Sequence, residues 1–157
     1  MANVWRLIAH HENATDVVAH IRRTEQIYIG WGEIGDLRQN PHHSVREITQ
    51  TIRHHYPTLN NAHLGGPCVW RFAYEILRLH LVIVSTRKGP ALTLEVAGSY
   101  QWDRNDEAPP LTGNYFHHRA ARVTDLDSNI LLRQAGGMAA GENSRWTLFR
   151  CANPVVP

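Results

Sequence analysis

Residues 26–30, Gln-Ile-Tyr-Ile-Gly, run without a break into Trp31-Gly32-Glu33-Ile34-Gly35-Asp36-Leu37. An apolar run rich in β-branched and aromatic residues, followed by closely spaced glycines, reads as a strand ending in a tight loop. This segment demands a sheet, and the rest of the chain supplies partners for it. Residues 4–9 are nearly all apolar and read as a strand buried on both faces. Between these two strands, Asn13 or Thr15 can cap a helix that runs to Thr24, with Val17, Val18 and Ile21 on one face.

The pattern continues along the chain. Ser44-Val45-Arg46-Glu47 is a capping box opening a helix that ends near His55, with Val45, Ile48 and Ile52 three and four residues apart. Residues 57–67 read as a linker, because Asn60-Asn61 and Gly65-Gly66 lie between two prolines. A third helix is expected over 69–79, carrying Trp70, Tyr74, Ile76 and Leu77. The second half reads as β-rich. Strands are expected at 79–85 and 91–96 around an Arg87-Lys88-Gly89-Pro90 turn, the second continuing through 98–102. Residues 103–112 form a polar loop with Pro109-Pro110. Strands follow at 114–123 and 146–150, separated by a glycine-rich loop at 136–141. No repeat and no boundary interrupts this order. The expected organisation is one α+β domain over 1–153 with a tail at 154–157.

Composition narrows the function classes. Of 157 residues, 43% are hydrophobic and 19% charged, which excludes disorder for the bulk of the chain. No apolar run approaches the roughly 18 to 20 residues of a membrane span. The first residues lack the basic-then-apolar pattern of a secretory signal. Cys68 and Cys151 are too few for a disulfide framework or a cysteine zinc site. These features set the expectation of a soluble, cytoplasmic protein. Lys+Arg is 16 and Asp+Glu 14, for a net charge of only +2, and Lys88 is the only lysine. The codon usage of a GC-rich genome accounts for that bias. Arginine nonetheless suits phosphate, because its planar fork makes paired hydrogen bonds.

Several chemistries find no support. A two-acid-and-lysine nuclease core would need Lys88 at the metal, and Lys88 sits in a predicted turn. Eight of the eleven histidines form the pairs His10-His11, His42-His43, His54-His55 and His117-His118. Adjacent side chains diverge on helices and strands, so such pairs seldom hold one ion. No Gly-x-Ser-x-Gly elbow and no phosphate-binding glycine motif is present. Cys68 follows Pro67 at an expected helix start, a setting that lowers a thiol's pKa; the alternative is a small buried side chain. The expectation is therefore no catalytic residue, no metal and no cofactor. Aromatic residues remain. Trp31 sits between two glycines at a strand end, Trp70 begins a helix, and Tyr100 and Trp102 share a strand face at i and i+2. Aromatics gathered at strand ends suit the stacking of a flipped base.

The segment Tyr28-Ile29-Gly30-Trp31-Gly32-Glu33-Ile34-Gly35-Asp36-Leu37 resembles the one after the second strand of PUA-like domains of the EVE and YTH type, especially those associated with prokaryotic restriction proteins. Residues 93–100, 114–123 and 147–150 are similar to later strands of that family, in the same order. The resemblance spans about residues 4–150. It implies a bent β-barrel with flanking helices and an aromatic pocket holding a modified base. By position, Trp31 matches the first cage tryptophan, and Tyr100 and Trp102 lie where another wall is expected. No tryptophan in 103–112 completes a methyladenine cage, which favours a pyrimidine.

The expected function is thus a non-catalytic reader of modified DNA, with 5-methylcytosine the leading base, working beside a separate nuclease. Trp31, Trp70, Tyr100 and Trp102 are the expected aromatic walls. The backbones of Gly30 and Gly32 and the acids Glu33 or Asp36 are expected at the base edge. Arg22, Arg23, Arg87, Lys88, His117 and Arg119 are expected at phosphates. An RNA-binding module of the same type, and an enzyme on nucleic acid, are the alternatives.

Overall fold

The computed structural model describes residues 1–9, 13–104, 111 and 114–157. The order is β1 (Val4–Ile8), α1 (Ala14–Thr24), β2 (Gln26–Ile29), a 3-10 turn (Gly32–Ile34), α2 (Val45–His55) and α3 (Ala62–Trp70). A π-helical turn (Arg71–Glu75) extends α3. Then come β3 (Leu81–Thr86), β4 (Gly89–Val96), β5 (Gln101–Trp102), β6 (His117–Val123), α4 (Ser128–Gln134) and β7 (Leu148–Arg150).

The strands form one curled, half-barrel sheet in the order β2-β6-β4-β3-β1-β7, so the architecture is mixed α+β, as expected. β1 and β3 pair in parallel, and the other neighbours are antiparallel. β5 pairs with β6 opposite His117 and His118, where β4 has already stopped. The strand expected through residues 98–102 is thus interrupted by a bend and resumes on the same partner.

Both faces of the central strands are covered, which explains their almost unbroken apolar sequence. From β1 and β3, Trp5, Leu7, Val82 and Val84 enter the main core, together with Ile21, Ile48, Ile52 and Phe72 from the helical segments. Val4, Leu81 and Ile83 point the other way and pack with Leu131 and Ala135 of α4, Cys151 and Val155. Each large aliphatic side chain so buried contributes roughly 1.5–3 kcal/mol.

Local capping follows the sequence closely at α2. The Ser44 hydroxyl accepts from the Glu47 N–H at 3.1 Å, while the Glu47 carboxylate accepts from the His43 N–H at 2.8 Å, one residue earlier than in the standard box. Three expectations are corrected. Residues 57–67 are not wholly a linker, since α3 starts at Ala62 and runs through Gly65, Gly66 and Pro67. Its glycines allow contact: a Cβ on Gly65 would lie 2.7 Å from the Trp31 ring, and one on Gly66 would strike Thr49 of α2. The third helix stops at Glu75 rather than residue 79, with the Ile76 N–H donating to the Arg71 carbonyl at 2.9 Å across a π turn. The expected tail is partly docked, because Val155 is buried and pairs with Ala2. Helix α4, capped by Asp127, carries no signal used in the sequence reading. Among the described residues, no helix is long and apolar enough to cross a membrane.

Candidate functional site

The loop that leaves β2 is built around a strained residue. Trp31 has φ 59° and ψ 33°, the left-handed region that non-glycine residues seldom occupy. Several side chains converge to hold it there. The Gly32 N–H donates to the Asn114 carbonyl at 2.9 Å, and the Trp102 indole N–H donates to the Gly32 carbonyl at 2.8 Å. The Glu33 N–H and the Asn114 side-chain amide both donate to the Tyr56 hydroxyl, at 3.0 and 3.1 Å. A Cβ on Gly32 would strike the Asn114 carbonyl and Phe116, so only glycine fits this approach.

Behind Trp31 runs a buried relay. The Leu37 N–H donates to the Tyr100 hydroxyl at 3.3 Å, which donates to His117 Nδ1 at 2.6 Å. His117 Nε2 therefore carries the ring proton and donates to the Trp31 carbonyl at 3.2 Å. Burial holds the His117 imidazole neutral, lowering its pKa to about 4, and burial raises that of the Tyr100 hydroxyl. Tyr100 stands just before β5 and Trp102 on it, and their polar atoms are engaged with Leu37 and His117 and with Gly32, so both support the glycine loop from within.

In front of the loop lies a cavity of about 170 Å³. Gly30 and Trp31 line it from the end of β2, Tyr56, Leu59 and Asn61 from the α2–α3 connection, Tyr115 from the approach to β6, and Thr147 from the approach to β7. β2 and β7 are the two ends of the sheet path, and residues next to both of them line the cavity. The Trp31 indole packs against Gly65 of α3, and its N–H donates to Asn61 Oδ1 at 3.3 Å. Trp31 is thus half-buried and braced, not free-standing.

The structure places the other expected residues elsewhere. Gly32 has both backbone groups engaged, so they do not serve a base edge. Glu33 is held by the Arg104 guanidinium at 2.7 and 2.9 Å, a pairing that lowers its pKa. Asp36 is held by Arg38 at 2.8 Å, again with a lowered pKa, and is buried. Neither acid lines the cavity. Trp70 packs on Tyr74 with ring centroids 4.6 Å apart and donates to Glu75 at 3.1 Å, at the far end of α3. Cys68 is buried within α3, and desolvation pushes its thiol up to about 11, the opposite of activation.

Two residues expected at phosphates are inside the protein. His117 is fully buried in the relay. Arg119 is 4% exposed, and its guanidinium donates to the carbonyls of Phe72, Ile76 and Gly98 at 2.7–3.2 Å. It ties the π-helical turn to the bend between β4 and β5. Arg22 and Arg23 on α1, and Arg87 and Lys88 in the β3–β4 turn, are exposed and line neither this cavity nor a neighbouring one described below. The His10-His11 pair and most of the 103–112 loop, including Pro109-Pro110, lie outside the described residues. Among the described residues, no group of three His, Cys, Asp or Glu side chains could hold a metal ion.

Tyr56, Asn61, Tyr115 and Thr147 were not singled out by the sequence. Asn61 lay in an apparent linker, and Asn114-Tyr115 lay in an expected strand; Asn114 instead has φ 69° and turns the chain before β6. No family model matches the chain, and no curated protein or solved structure is significantly similar to it.

Proposed function

We propose that this protein is a non-catalytic reader of a modified base in DNA, 5-methylcytosine foremost, which it takes out of the helix into the Trp31 cavity. The observation that carries the reading is the cavity itself: three aromatic residues, Trp31, Tyr56 and Tyr115, around a ring-sized space. Such walls suit a flat, weakly polar ligand, and a stacked base contributes roughly 1–3 kcal/mol per aromatic face. Asn61 and Thr147 supply the polar groups that orient it, in place of the acids expected from the sequence. Leu59 offers apolar surface for a methyl group, which adds about 0.8 kcal/mol when buried. The curled α+β sheet supports the PUA-like assignment, in which the chain recognises DNA and a separate nuclease cuts it.

The test is a binding titration with duplexes that differ only in one cytosine methyl, alongside single-stranded RNA of the same sequence. Methylated duplex is expected to bind several-fold more tightly than plain duplex, and Trp31→Ala is expected to lose about 1–3 kcal/mol of that affinity. Circular dichroism checks that the variant folds. Equal affinity for the two duplexes, or a folded Trp31→Ala that binds as wild type, overturns the reading; preference for RNA moves it to an RNA ligand.

A further inference from the structure

A base in the small cavity leaves its sugar and phosphate to be accounted for. A second hollow of about 400 Å³ adjoins the first, and Tyr56 and Leu59 line both. Tyr56 and Leu59 thus stand between them, so a ligand whose base sits in one has its backbone beside the other. The chemistry changes across that divide. The small cavity is aromatic, whereas the larger hollow is lined by Arg53 from the last turn of α2, Asn60, and His63 from the first turn of α3.

Arg53 and His63 are exposed and make no ion pair and no side-chain hydrogen bond among the described residues. The nearby acid Glu33, whose N–H bonds Tyr56, is already neutralised by Arg104. No acidic residue lines the hollow, so its charge is uncompensated and positive. An arginine fork beside an amide and an imidazole is a donor set for a phosphodiester.

Resting on the base-reader reading, we infer that the larger hollow holds the phosphate next to the extruded base, with Arg53 as its principal contact and His63 as a second. The ligand is then a nucleotide within a strand, not a free base or nucleoside. The inference moves the anion contacts from the arginine pairs of α1 and the β3–β4 turn to the α2–α3 corner.

The experiment is a thermodynamic cycle between protein and DNA. Fluorescence anisotropy is measured on a duplex carrying one 5-methylcytosine, with the adjoining linkage either a native phosphate or an uncharged methylphosphonate. The proteins are wild type, Arg53→Gln, His63→Gln and Trp31→Ala. Neutralising the linkage is expected to weaken wild-type binding about five- to tenfold, the effect of one charge-assisted contact. Arg53→Gln is expected to weaken binding to native DNA similarly and to add little on the neutral linkage. His63→Gln should show the same lack of additivity with a smaller loss. Losses that simply multiply in the Arg53→Gln cycle, or an unchanged affinity for the neutral linkage at either side of the base, overturn the inference. The base-reader reading fails separately, by loss of methyl discrimination or insensitivity to Trp31→Ala.

Discussion

The buried relay behind Trp31 makes the fold sensitive to acid in a way that can be isolated. His117 is fully buried, with Tyr100 on one ring nitrogen and the Trp31 carbonyl on the other. Besides these, Asp36 and His118 act on it electrostatically, in opposite directions. Burial is the largest cause of its low pKa, about 4 against an ordinary 6.5. Between those values the unfolded chain binds a proton that the folded chain refuses. Stability from this residue is therefore fully present above pH 6.5 and is lost as pH falls toward 4. The full difference is on the order of 3 kcal/mol, of which about 2 kcal/mol is gone by pH 5. His20 and His80 are also lowered by burial and push the same way, so the wild-type slope alone does not identify the cause. His117→Gln does, because glutamine can accept from the Tyr100 hydroxyl and donate to the Trp31 carbonyl without titrating. Urea unfolding of both proteins at intervals from pH 7.5 to 5 gives the comparison. The variant is expected to be less stable at pH 7.5 and to close the gap by about 2 kcal/mol at pH 5. A gap that stays constant across this range refutes the neutral, buried assignment of His117.

Two further outcomes follow from contacts already described. Arg119→Met leaves the carbonyls of Phe72, Ile76 and Gly98 without their donor, and a net loss of about 2–4 kcal/mol is expected in urea unfolding after relief of the buried charge; Arg119→Lys should restore little, since one ammonium cannot span both sides, and a wild-type midpoint for either would contradict this role. Gly65→Ala places a methyl 2.7 Å from the Trp31 ring, and is expected to cost about 1–3 kcal/mol and shift the Trp31 indole N–H resonance, whereas an unmoved resonance would mean the ring does not rest on α3.

The sequence disclosed what is local. The two buried strands Val4–Ile8 and Gln26–Ile29 and the first two helices follow from periodicity, and the start of α2 from the Ser44 cap, whereas Asn13 stands at the N-cap of α1 without a side-chain capping hydrogen bond. A tight loop at Trp31 was also legible from the glycines that follow the strand, but the left-handed backbone of Trp31 was not. Nor was what surrounds it. Tyr56 arrives from the end of α2, Tyr115 from the approach to β6, which pairs with β2, and Thr147 from the approach to β7 at the other end of the sheet path, placements that no local pattern encodes. Gly65 and Gly66 read as breakers, yet they serve close packing, a tertiary gain that outweighs their poor helix propensity. His117 and Arg119 look like surface cations in one dimension. Burial of their alternating positions on β6 turns one into a neutral hinge pin and the other into a donor for backbone carbonyls.

Trp31 carries one more message in its backbone. Its left-handed conformation is one that glycine adopts freely and that costs an ordinary residue roughly 1–2 kcal/mol. The main chain at this position would be more comfortable with no side chain at all, as its positive φ indicates. The position's steric preference and its occupant therefore disagree. Packing on Gly65 recovers part of that cost, but it does so by requiring a second glycine in the middle of a helix. Two unfavourable local choices, at Trp31 and Gly65 on either side of α2, are tolerated together for the sake of one indole at the wall of the cavity.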